Sequence, residues 1–569
     1  MSSYKWHHTD LDHKPDLSKN TIQKLAQELG VENRIAQLLF NRNITTFEQA
    51  KTFFRPLLSD LNDPFLMQNM QKVVELIQTH IAQENQILIY GDYDVDGTCG
   101  VTILYDFFLQ IGANVGYYIP NRYQEGYGVS EQGIDFAIDN DFKLLITVDC
   151  GIKANSKIKR ATLAGIDVVV CDHHIPGDEL PSALILNPKQ SACEYPFKAL
   201  CGTGIAYKLL QAIASQVTEF SFEPTFYLDF VALATAADMV ELQGENRTLL
   251  AKGLEKINKS PHPGVACLMQ TASCKSPLTM RDLVFGLAPR INAAGRIGEA
   301  SRIVELFTSA DHNLAEALGN EISADNEHRR TLDQEATTQA MILLQEEQEA
   351  RKSNVVYNPK WNKGIIGIVA SRILESYYKP TIVFTQNSDG LLTGSARSVS
   401  NFNIHDAISA CGDLLESFGG HTAAAGLTLK AKNLNAFKKA FELQCINLPA
   451  NLLPALTIEG ELQLAELTPK FMRILDQMAP FGVGNPEPVF TCADFELYGE
   501  IRLLAGEHLK FKIRSTSYAP IACIAFKAKE WMKELQKGSV KQMAFTPQIN
   551  EWQGKKSIQL NIKDFSLSK

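Results

Sequence analysis

The chain has 569 residues, 45% of them hydrophobic, and a formal net charge of −9. This length predicts several domains, with ample apolar material for their cores. No apolar run is long enough to span a bilayer, and the polar, His-rich start is unlike a signal peptide, so we expect a cytoplasmic protein without a membrane partner. The 11 cysteines are scattered, without a Cys-x-x-Cys pair, which indicates reduced thiols.

The pattern of polar and apolar residues divides the chain into five regions. The first reads as helical, with amphipathic stretches at Thr21 to Leu29 and Phe47 to Phe54. In the second, strands and helices alternate, as expected for a parallel sheet. The third is polar and lacks proline, which predicts one long helix, and a second α/β alternation and a small β barrel follow. The regions are residues 1–70, 71–309, 310–351, 352–450 and 451–569.

An apolar run from Ile87 leads into three acids spaced two apart, Asp92, Asp94 and Asp96, followed by Gly97. Alternate residues of an extended chain share a face, so these carboxylates can converge on one point. Clustered carboxylates repel one another and lose hydration, so a divalent cation among them is the simplest explanation. The pattern alone is equally compatible with a solvated acidic turn, because Asp and Gly are ordinary turn residues.

Related patterns recur in the same half of the chain. Leu144 to Asp149 and Ile166 to His174 read as apolar strands that end in acids or histidines, and Val231 to Asp238 is another apolar run with an acid at its end. Ligands bind at the carboxyl ends of strands in open α/β sheets, so four such ends favour a metal site. Carboxylates and imidazoles without clustered thiolates favour Mn²⁺ or Mg²⁺ over structural zinc.

The second α/β region carries three short glycine-rich stretches. Gly364 to Arg372, Gly394 to Ser398 and Gly419 to Gly426 combine closely spaced glycines with Ser, Arg or His. Glycines let backbone amides approach a phosphate, and these side chains can donate to it, so the three together predict an anionic ligand. Each stretch by itself could instead mark a tight contact between a helix and a strand.

The last region differs from the rest of the chain in charge. Residues 501–569 contain 13 Lys and Arg but 5 Asp and Glu, a net charge of +8, so the remainder carries −17. Basic surfaces with aromatic residues bind single-stranded nucleic acid by phosphate contacts and base stacking. We expect the individual aromatic side chains to lie in a core, and the face as a whole to bind nucleic acid. The interleaved aromatic residues are Phe511, Phe526, Trp531, Trp552 and Phe565.

The ordered motifs resemble those of the DHH phosphoesterase superfamily. They are Asp92 to Gly97, Asp149, Asp172-His173-His174, Asp238 and Gly419-Gly420-His421. The runs Pro120 to Gly128, Pro289 to Arg296 and Pro480 to Pro488 narrow the resemblance to a bacterial family of single-strand-specific DNA exonucleases, over nearly the whole chain. This implies an α/β fold with two α/β domains, DHH (71–309) and DHHA1 (352–450), joined by the long helix. An N-terminal helical segment and a C-terminal OB-like β barrel would complete it.

The resemblance also implies an activity, namely metal-dependent 5′-to-3′ hydrolysis of single-stranded DNA to 5′-mononucleotides in DNA repair and recombination. Two divalent cations, Mn²⁺ or Mg²⁺, would share Asp149. One cation would also be held by Asp94, and the other by Asp96, His173 and Asp238.

Catalytic and substrate-binding roles follow from the same resemblance. His174 would face the scissile phosphate, with a purely structural role as the alternative, and Asp92 would support the site or reach a cation through water. A pocket between the two α/β domains would hold the terminal 5′ phosphate or the backbone beside it, and two further arginines would hold the backbone or support the domain contact. The pocket candidates are Arg122, Ser371, Arg372, Ser395, Arg397 and His421, and the further arginines are Arg290 and Arg296.

The expected partners are single-stranded DNA and, by resemblance alone, a single-strand-binding protein and a helicase, with a monomeric state. One departure from the relatives is Asn362, which stands where they have His and cannot carry a charge. A small-substrate DHH phosphodiesterase, acting on short oligonucleotides or cyclic dinucleotides, would explain the metal site but not the basic tail. A non-catalytic single-strand-binding scaffold is disfavoured because every predicted ligand is present.

Overall fold

The computed structural model describes residues 3–9, 15–216, 222–346, 351–515 and 518–567. The chain forms two compact units. Unit I comprises residues 51–329 and 480–486, and unit II comprises residues 1–50, 330–479 and 487–569. Among the described residues, no helix is both long and apolar enough to cross a membrane.

The N-terminal segment contains a strand as well as the expected helices. The predicted amphipathic stretches are helical, but the helical prediction is wrong for the first element, a strand whose partner lies far along the chain. The elements are β1 (Lys5–His8), α1 (Pro15–Leu29), α2 (Asn33–Phe40) and α3 (Phe47–Phe54).

A five-stranded parallel sheet forms the core of unit I, as the alternation of strands and helices predicts. Its order is β3-β2-β4-β5-β6, and every residue of β2 and β4 is buried, as is usual for parallel strands with both faces covered. The elements are α4 (Met70–Ala82), β2 (Ile87–Gly91), α5 (Val95–Gln110), β3 (Val115–Tyr118), α6 (Glu131–Asp139), β4 (Leu144–Val148), α7 (Asn155–Leu163), β5 (Asp167–Cys171) and β6 (Leu184–Leu186).

Helices make up most of unit I beyond the sheet, so the predicted alternation ends at β6. The expected strand from Val231 to Asp238 is wrong, because this segment belongs to α9. Nearly all of α9 is buried, and an apolar run buried on every side has no periodicity that separates helix from strand. The helices are α8 (Gly202–Gln216), α9 (Leu228–Ala237), α10 (Gly244–Lys259), α11 (Pro263–Thr271), α12 (Met280–Asp282), α13 (Ala288–Ile297) and α14 (Ser301–Thr308), with a π-helical turn at Leu283–Leu287.

The predicted long helix is present as α15 (His312–Glu346), which has 35 residues. The expected helix extends to residue 351, and its residues 347–350 lie outside the described part of the chain. The division between the two units falls within α15.

The second α/β block of unit II contains a mixed sheet of order β10-β11-β9-β8-β7. Only β7 and β8 pair in parallel in this sheet, whereas β8, β9, β11 and β10 pair antiparallel. The elements are β7 (Asn354–Tyr357), α16 (Ile366–Tyr377), β8 (Thr381–Gln386), β9 (Leu391–Arg397), α17 (Ile404–Ser409), β10 (Ser417–His421), β11 (Ala424–Lys430) and α18 (Leu434–Gln444).

The C-terminal region forms an eight-stranded sheet of order β13-β14-β19-β20-β18-β17-β15, with β16 paired to β17. Outside this sheet, β12 pairs in parallel with β1. The elements are β12 (Ala455–Ile458), β13 (Gly460–Glu461), α19 (Pro469–Gln477), β14 (Phe490–Cys492), β15 (Glu496–Leu497), β16 (Arg502–Leu504), β17 (His508–Ser515), β18 (Tyr518–Ala525), α20 (Met532–Gln536), β19 (Gln542–Trp552) and β20 (Lys555–Ser566).

Candidate functional site

The three acids after β2 lie in a turn from strand to helix, not along an extended segment. Asp92 follows the strand, and Asp94 is the N-cap of α5. The Asp94 Oδ1 accepts hydrogen bonds from the main-chain nitrogens of Asp96 (2.9 Å) and Gly97 (3.1 Å). The three carboxylates converge because the chain turns from β2 into the first turn of α5. The extended segment that the spacing suggests is not formed.

The other predicted ligands reach the same edge of the sheet. Asp149 directly follows β4, with a φ of +58°, and Asp172, His173 and His174 directly follow β5. Asp238 is the C-cap of α9. Three strand ends and one helix end therefore supply the side chains of the site.

The imidazole of His173 lies among three of these carboxylates. Its Nε2 is 3.1 Å from Asp149 Oδ1, 3.6 Å from Asp238 Oδ2 and 3.9 Å from Asp96 Oδ2. Three groups of three residues, which share some members, could each hold a cation. Within each group, the potential ligand atoms lie within 4.8 Å of one another. The groups are Asp92, Asp94 and Asp149; Asp96, His173 and Asp238; and Asp149, His173 and His174.

Many of these ligand atoms are buried without a hydrogen-bond partner among the described residues. They are both carboxylate oxygens of Asp92, Oδ1 of Asp149, Oδ2 of Asp238 and both ring nitrogens of His173. Buried polar atoms are normally satisfied, and an uncompensated buried charge is costly. Oxygen and imidazole donors of this kind fit Mn²⁺ or Mg²⁺. Asp92, expected in a supporting position, belongs to one of the ligand groups.

Burial and mutual repulsion shift the pKa values of the cluster. Burial, with the charge of Asp94, raises the pKa of Asp92, and burial with the charge of Asp96 raises those of Asp94 and Asp149. The same two causes raise the pKa of Asp238 to about 9. Burial lowers the pKa of His173 to about 4, so its ring is neutral at pH 7 and has a lone pair for a cation.

His174 is held by hydrogen bonds at both ring nitrogens. Its Nδ1 is 2.7 Å from Asp172 Oδ1, and its Nε2 is 3.1 Å from the Tyr127 hydroxyl. Asp172 also accepts hydrogen bonds from the main-chain nitrogens of His174 (3.0 Å) and Ile152 (2.9 Å). Burial alone lowers the pKa of His174, but the hydrogen bond and charge of Asp172 outweigh it and raise that pKa above its ordinary value.

The three arginine candidates of unit I differ in their surroundings. The Arg122 guanidinium lies 4.8 Å from the ring centre of Tyr93, and its charge lowers the pKa of Asp92, so it lies beside the metal cluster. The charge of Arg296 lowers the pKa of Tyr93, so Arg296 also lies near this ring. Arg290 Nη1 donates to the main-chain oxygen of Gly286 (2.6 Å) on the preceding turn, so this contact is local.

The pocket candidates of unit II gather where β9 ends and α16 begins. Arg397 Nη1 donates to Ser395 Oγ (3.1 Å) and to the main-chain oxygen of Ala396 (2.8 Å). A Cβ added at Gly367 would lie 2.9 Å from Arg397 Nη2 and 3.1 Å from Ser395 Oγ. Ser371 Oγ donates to the main-chain oxygen of Gly367 (3.1 Å), one turn along the helix. Four polar or glycine residues of the motifs are therefore close together.

The remaining candidates of unit II occupy different positions. His421 is exposed on the edge strand β10, and the register aligns it with Ala424 and, through Ala424, with Arg397. Arg372 forms an ion pair with the buried Asp333 of α15 (2.7 Å), so it is already engaged. Asn362 Oδ1 accepts a hydrogen bond from the main-chain nitrogen of Gly364 (2.7 Å) and so stabilises the turn before α16.

Most of the predicted aromatic residues of the basic C-terminal sheet whose side chains are described lie in its core. Phe511, Trp531 and Phe565 are buried, as expected for core residues, whereas Phe526 is 57% exposed; the side chain of Trp552 lies outside the described residues. Along β17, apolar residues alternate with exposed cations on the opposite face. The exposed cations are Lys510, Lys512 and Arg514.

Comparison with known proteins identifies the family. Models described as the DHH family N-terminal domain, the DHHA1 domain and the RecJ OB domain match residues 86–235, 352–447 and 458–564. The single-stranded-DNA-specific exonuclease RecJ of Bacillus subtilis (strain 168) is 34% identical over 561 residues, which cover 98% of this chain and 70% of that protein. The chain belongs to the RecJ family. The RecJ of Escherichia coli (strain K12) is 33% identical over 87% of this chain and 90% of its own length.

Solved RecJ structures have the same fold. RecJ of Thermus thermophilus in complex with Mn²⁺ superposes with a TM-score of 0.84 at 27% identity, covering 99% of this chain and 80% of that one. The Mg²⁺ complex from the same organism gives a TM-score of 0.78 at 26% identity. RecJ relatives therefore bind the two metals that suit the donor set of this chain.

Two parts of the site are absent from the sequence interpretation. Gly202 and Thr203, at the start of α8, donate to the Asp96 carboxylate from their main-chain nitrogens. Tyr127, whose hydroxyl faces His174, is noticed only as part of a family motif. Both contacts join residues far apart in the chain, which no local sequence pattern predicts. The separation is 106 residues for Gly202 and Asp96 and 47 residues for Tyr127 and His174.

Proposed function

We propose that this RecJ-family protein is a metal-dependent exonuclease that hydrolyses the phosphodiester bonds of single-stranded DNA. The observation that carries the proposal is the cluster of carboxylates and histidines in which Asp92, Asp149, Asp238 and His173 have buried ligand atoms without a hydrogen-bond partner in the described chain. Cations among these side chains would neutralise the clustered carboxylates and coordinate the unpartnered atoms, and divalent cations are common catalysts of phosphodiester hydrolysis.

Two divalent cations, Mn²⁺ or Mg²⁺, are assigned to this centre. Asp92, Asp94 and Asp149 would hold one, and Asp96, Asp149, His173 and Asp238 the other, with Asp149 shared. When bound, the cations supply positive charge for the phosphate and make a coordinated water more acidic. The carboxylates set the positions of this charge, and the neutral ring of His173 contributes a nitrogen ligand.

His174 is proposed to act on the substrate rather than as a structural residue. Asp172 accepts a hydrogen bond from Nδ1–H and raises the pKa of the ring, so Nε2 can also carry a proton and donate a hydrogen bond to a phosphate oxygen. About a third of the His174 side chain is exposed, and a phosphate oxygen would take the place of the Tyr127 hydroxyl at Nε2. Asp172 is thus a positioning residue for His174.

The direction of digestion is proposed to be 5′ to 3′, with 5′-mononucleotides as products. A terminal phosphate needs convergent donors, and Arg397 with Ser395, next to Gly367, forms such a group in unit II. Arg397 is preferred over Arg372 because it lies beside the hydroxyl of Ser395 and the small residue Gly367, whereas Arg372 lies against Asp333 of α15. Arg122, beside the metal cluster, is proposed to hold the backbone near the scissile bond, and Arg290 and Arg296 to contact it farther away.

The remaining expectations are also proposals. The domain limits at residues 70, 309, 351 and 450 rest on the pattern of polar and apolar residues, and a cytoplasmic location rests on the composition of the chain. Contacts with a single-strand-binding protein and a helicase rest on the family resemblance, and a monomeric state is proposed with them. A role in DNA repair and recombination fits the RecJ family.

One assay tests the proposed function against its alternatives. Single strands and duplexes labelled at either end are incubated with Mn²⁺, Mg²⁺ or EDTA, and the released products are sized. Mononucleotides released from the 5′ end of the single strand, only with metal, are expected. Release from the 3′ end overturns the direction, hydrolysis confined to very short oligonucleotides indicates a small-substrate phosphodiesterase, and binding without hydrolysis indicates a scaffold.

A further inference from the structure

The start of α8 makes the closest main-chain contacts to the metal cluster. The main-chain nitrogen of Gly202 donates to Asp96 Oδ2 (2.6 Å), and that of Thr203 donates to Asp96 Oδ1 (2.7 Å). The Thr203 hydroxyl donates to the main-chain oxygen of Asp96 (2.7 Å). Both oxygens of one carboxylate and the peptide behind it are thus held by two consecutive residues.

Gly202 also lies against Asp149, the ligand that both cations are proposed to share. A Cβ added at Gly202 would lie 2.6 Å from the Cβ of Asp149 and 2.9 Å from its Cα. No such atom fits without movement, so the approach of α8 to Asp149 requires glycine. Gly202, Thr203, Asp96 and Asp149 are all buried, so there is little room for relaxation.

These contacts have an electrostatic consequence. The first main-chain N–H groups of a helix carry partial positive charge and favour a nearby anion. Here they face Asp96, which lies among other carboxylates that would otherwise repel it. They use one lone pair of each Asp96 oxygen, and Oδ2 still lies 3.9 Å from His173 Nε2, so the second lone pair of Oδ2 can serve a cation.

We propose that Gly202 and Thr203 are positioning residues of the metal centre. The start of α8 orients the Asp96 carboxylate toward His173 and Asp238, and the absence of a side chain at Gly202 sets the height of Asp149 above the helix. The ligand is a divalent cation, Mn²⁺ or Mg²⁺. The proposal rests on the proposed metal-dependent function, and metal binding tests it separately from hydrolysis.

The main test compares Gly202→Ala with Gly204→Ala, a matched substitution two residues along the same helix. A Cβ at Gly204 meets the side chain of Leu200 at 3.3 Å and no carboxylate. Mn²⁺ affinity is measured by titration calorimetry on the full-length proteins, with thermal unfolding as the check of folding. Gly202→Ala should lower Mn²⁺ affinity by about tenfold or more, as substitutions that disturb ligand orientation do, whereas Gly204→Ala should change it by less than about twofold.

A second comparison covers the case in which Gly202→Ala does not fold. Thr203→Val removes the hydroxyl but keeps the shape, and Thr203→Ser keeps the hydroxyl. Thr102→Val is the control, because the buried Thr102 hydroxyl also donates to a main-chain oxygen, that of Thr98 (2.7 Å), away from the carboxylates. Thr203→Val should weaken Mn²⁺ binding, Thr203→Ser should retain it, and Thr102→Val should leave it unchanged.

Hydrolysis gives an independent readout of the same variants. In Thr203→Val, the Mn²⁺ concentration for half-maximal activity should rise while binding of single-stranded DNA in EDTA stays at the wild-type level. Wild-type Mn²⁺ affinity in folded Gly202→Ala or in Thr203→Val overturns the positioning role, as do equal losses in the matched controls. A wild-type protein that binds Mn²⁺ but does not hydrolyse DNA overturns the proposed function alone.

Discussion

At the scale of single residues, Asp149 and His173 each belong to two of the three ligand groups. Asp149→Asn keeps the shape and tolerates the φ of +58°, because Asn adopts left-handed conformations readily. It removes the negative charge that both cations share, so we expect kcat on a single-stranded oligonucleotide to fall by about 100-fold or more. Binding of single-stranded DNA, measured by fluorescence anisotropy, should persist.

Asp141→Asn is the matched control for this substitution. Asp141 also has a left-handed backbone, with a φ of +59°, but its side chain is 83% exposed and pairs only with Lys143 in the salt bridges of the described chain. Its replacement should leave kcat unchanged. An Asp149→Asn variant that retains a tenth of the wild-type rate, or about that, would contradict a shared metal ligand.

The raised pKa of Asp238 predicts a pH-dependent response to metal. Its folded value of about 9 exceeds the usual value of about 3.9 for unfolded chains, so the free energy of unfolding falls as the pH rises from about 4 to about 9. A cation offsets that loss, so Mg²⁺ should raise Tm more at pH 9 than at pH 7. His173, with a pKa of about 4, stays neutral across this window. Calorimetry with and without Mg²⁺ measures the difference, and Asp238→Asn should reduce it; an equal Mg²⁺ effect at both pH values would oppose this view.

Arg397 and Arg372 are predicted to differ in function although they belong to neighbouring motifs. A charged bidentate contact contributes about 1.5–3 kcal/mol, which is about ten- to a hundredfold in affinity. Arg397→Ala should therefore shrink the preference for a 5′-phosphorylated strand over a 5′-hydroxyl strand. Arg372→Ala removes the cation that faces buried Asp333, so it should lower Tm and leave the preference intact. The degradation rates of both strands are measured for each variant. If Arg372→Ala, and not Arg397→Ala, reduces the preference for the 5′-phosphorylated strand, the terminal phosphate is bound by Arg372.

At the scale of elements, strand β17 carries core residues of the basic C-terminal region on one face and exposed cations, the candidate DNA contacts, on the other. Its apolar residues are buried, and Lys510 and Lys512 are exposed on the opposite face. Replacing both lysines with Gln should weaken binding of long single strands and lower the slope of log affinity against log salt by about 0.7 for each lost phosphate contact. Anisotropy titrations at several salt concentrations measure this slope. Lys533→Gln, on α20, is the control, and an unchanged slope in the double variant would place the DNA elsewhere.

At the scale of the whole molecule, Asp564 joins the two ends of the chain within unit II. Its carboxylate accepts hydrogen bonds from the main-chain nitrogens of Ser3 (3.0 Å) and Tyr4 (3.2 Å) and from Trp6 Nε1 (2.8 Å). Asp564→Ala leaves these donors without that acceptor, so the free energy of unfolding should fall by about 1–3 kcal/mol. Denaturant titration followed by tryptophan fluorescence measures the loss.

Metal binding provides the internal comparison for Asp564→Ala. The metal cluster lies in unit I, so Mn²⁺ affinity in the folded variant should equal that of the wild type. Wild-type stability would show that the tie between the chain ends is not important, and loss of Mn²⁺ binding would show that the effect is not confined to unit II.

Sequence patterns predict those parts of this protein that depend on local order. The parallel strands β2, β4 and β5 are short apolar runs bounded by polar residues, and the acids at their ends can be identified because strand ends meet at one edge of a sheet. The long helix α15 is recognisable because its sequence is polar and lacks proline, and the strand β17 because apolar and polar residues alternate along it. The RecJ motifs then assign the family.

Tertiary structure alone decides the features that join distant segments. The apolar run at α9 is a helix that the sequence does not distinguish from a strand, because burial on all sides leaves no periodic signal, and β1 becomes a strand because β12 pairs with it. Arg372 forms an ion pair with Asp333, and no sequence motif predicts this pair.

The metal centre divides in the same way. Its acids and histidines are readable one by one from the residues that precede them, which is why the sequence by itself determines the ligand types and the class of metal. Their mutual distances are not readable, because the turn after β2 and the start of α8 set them, and the contact of Gly202 with Asp96 spans 106 residues. Chemical identity is thus local, whereas coordination geometry depends on long-range packing.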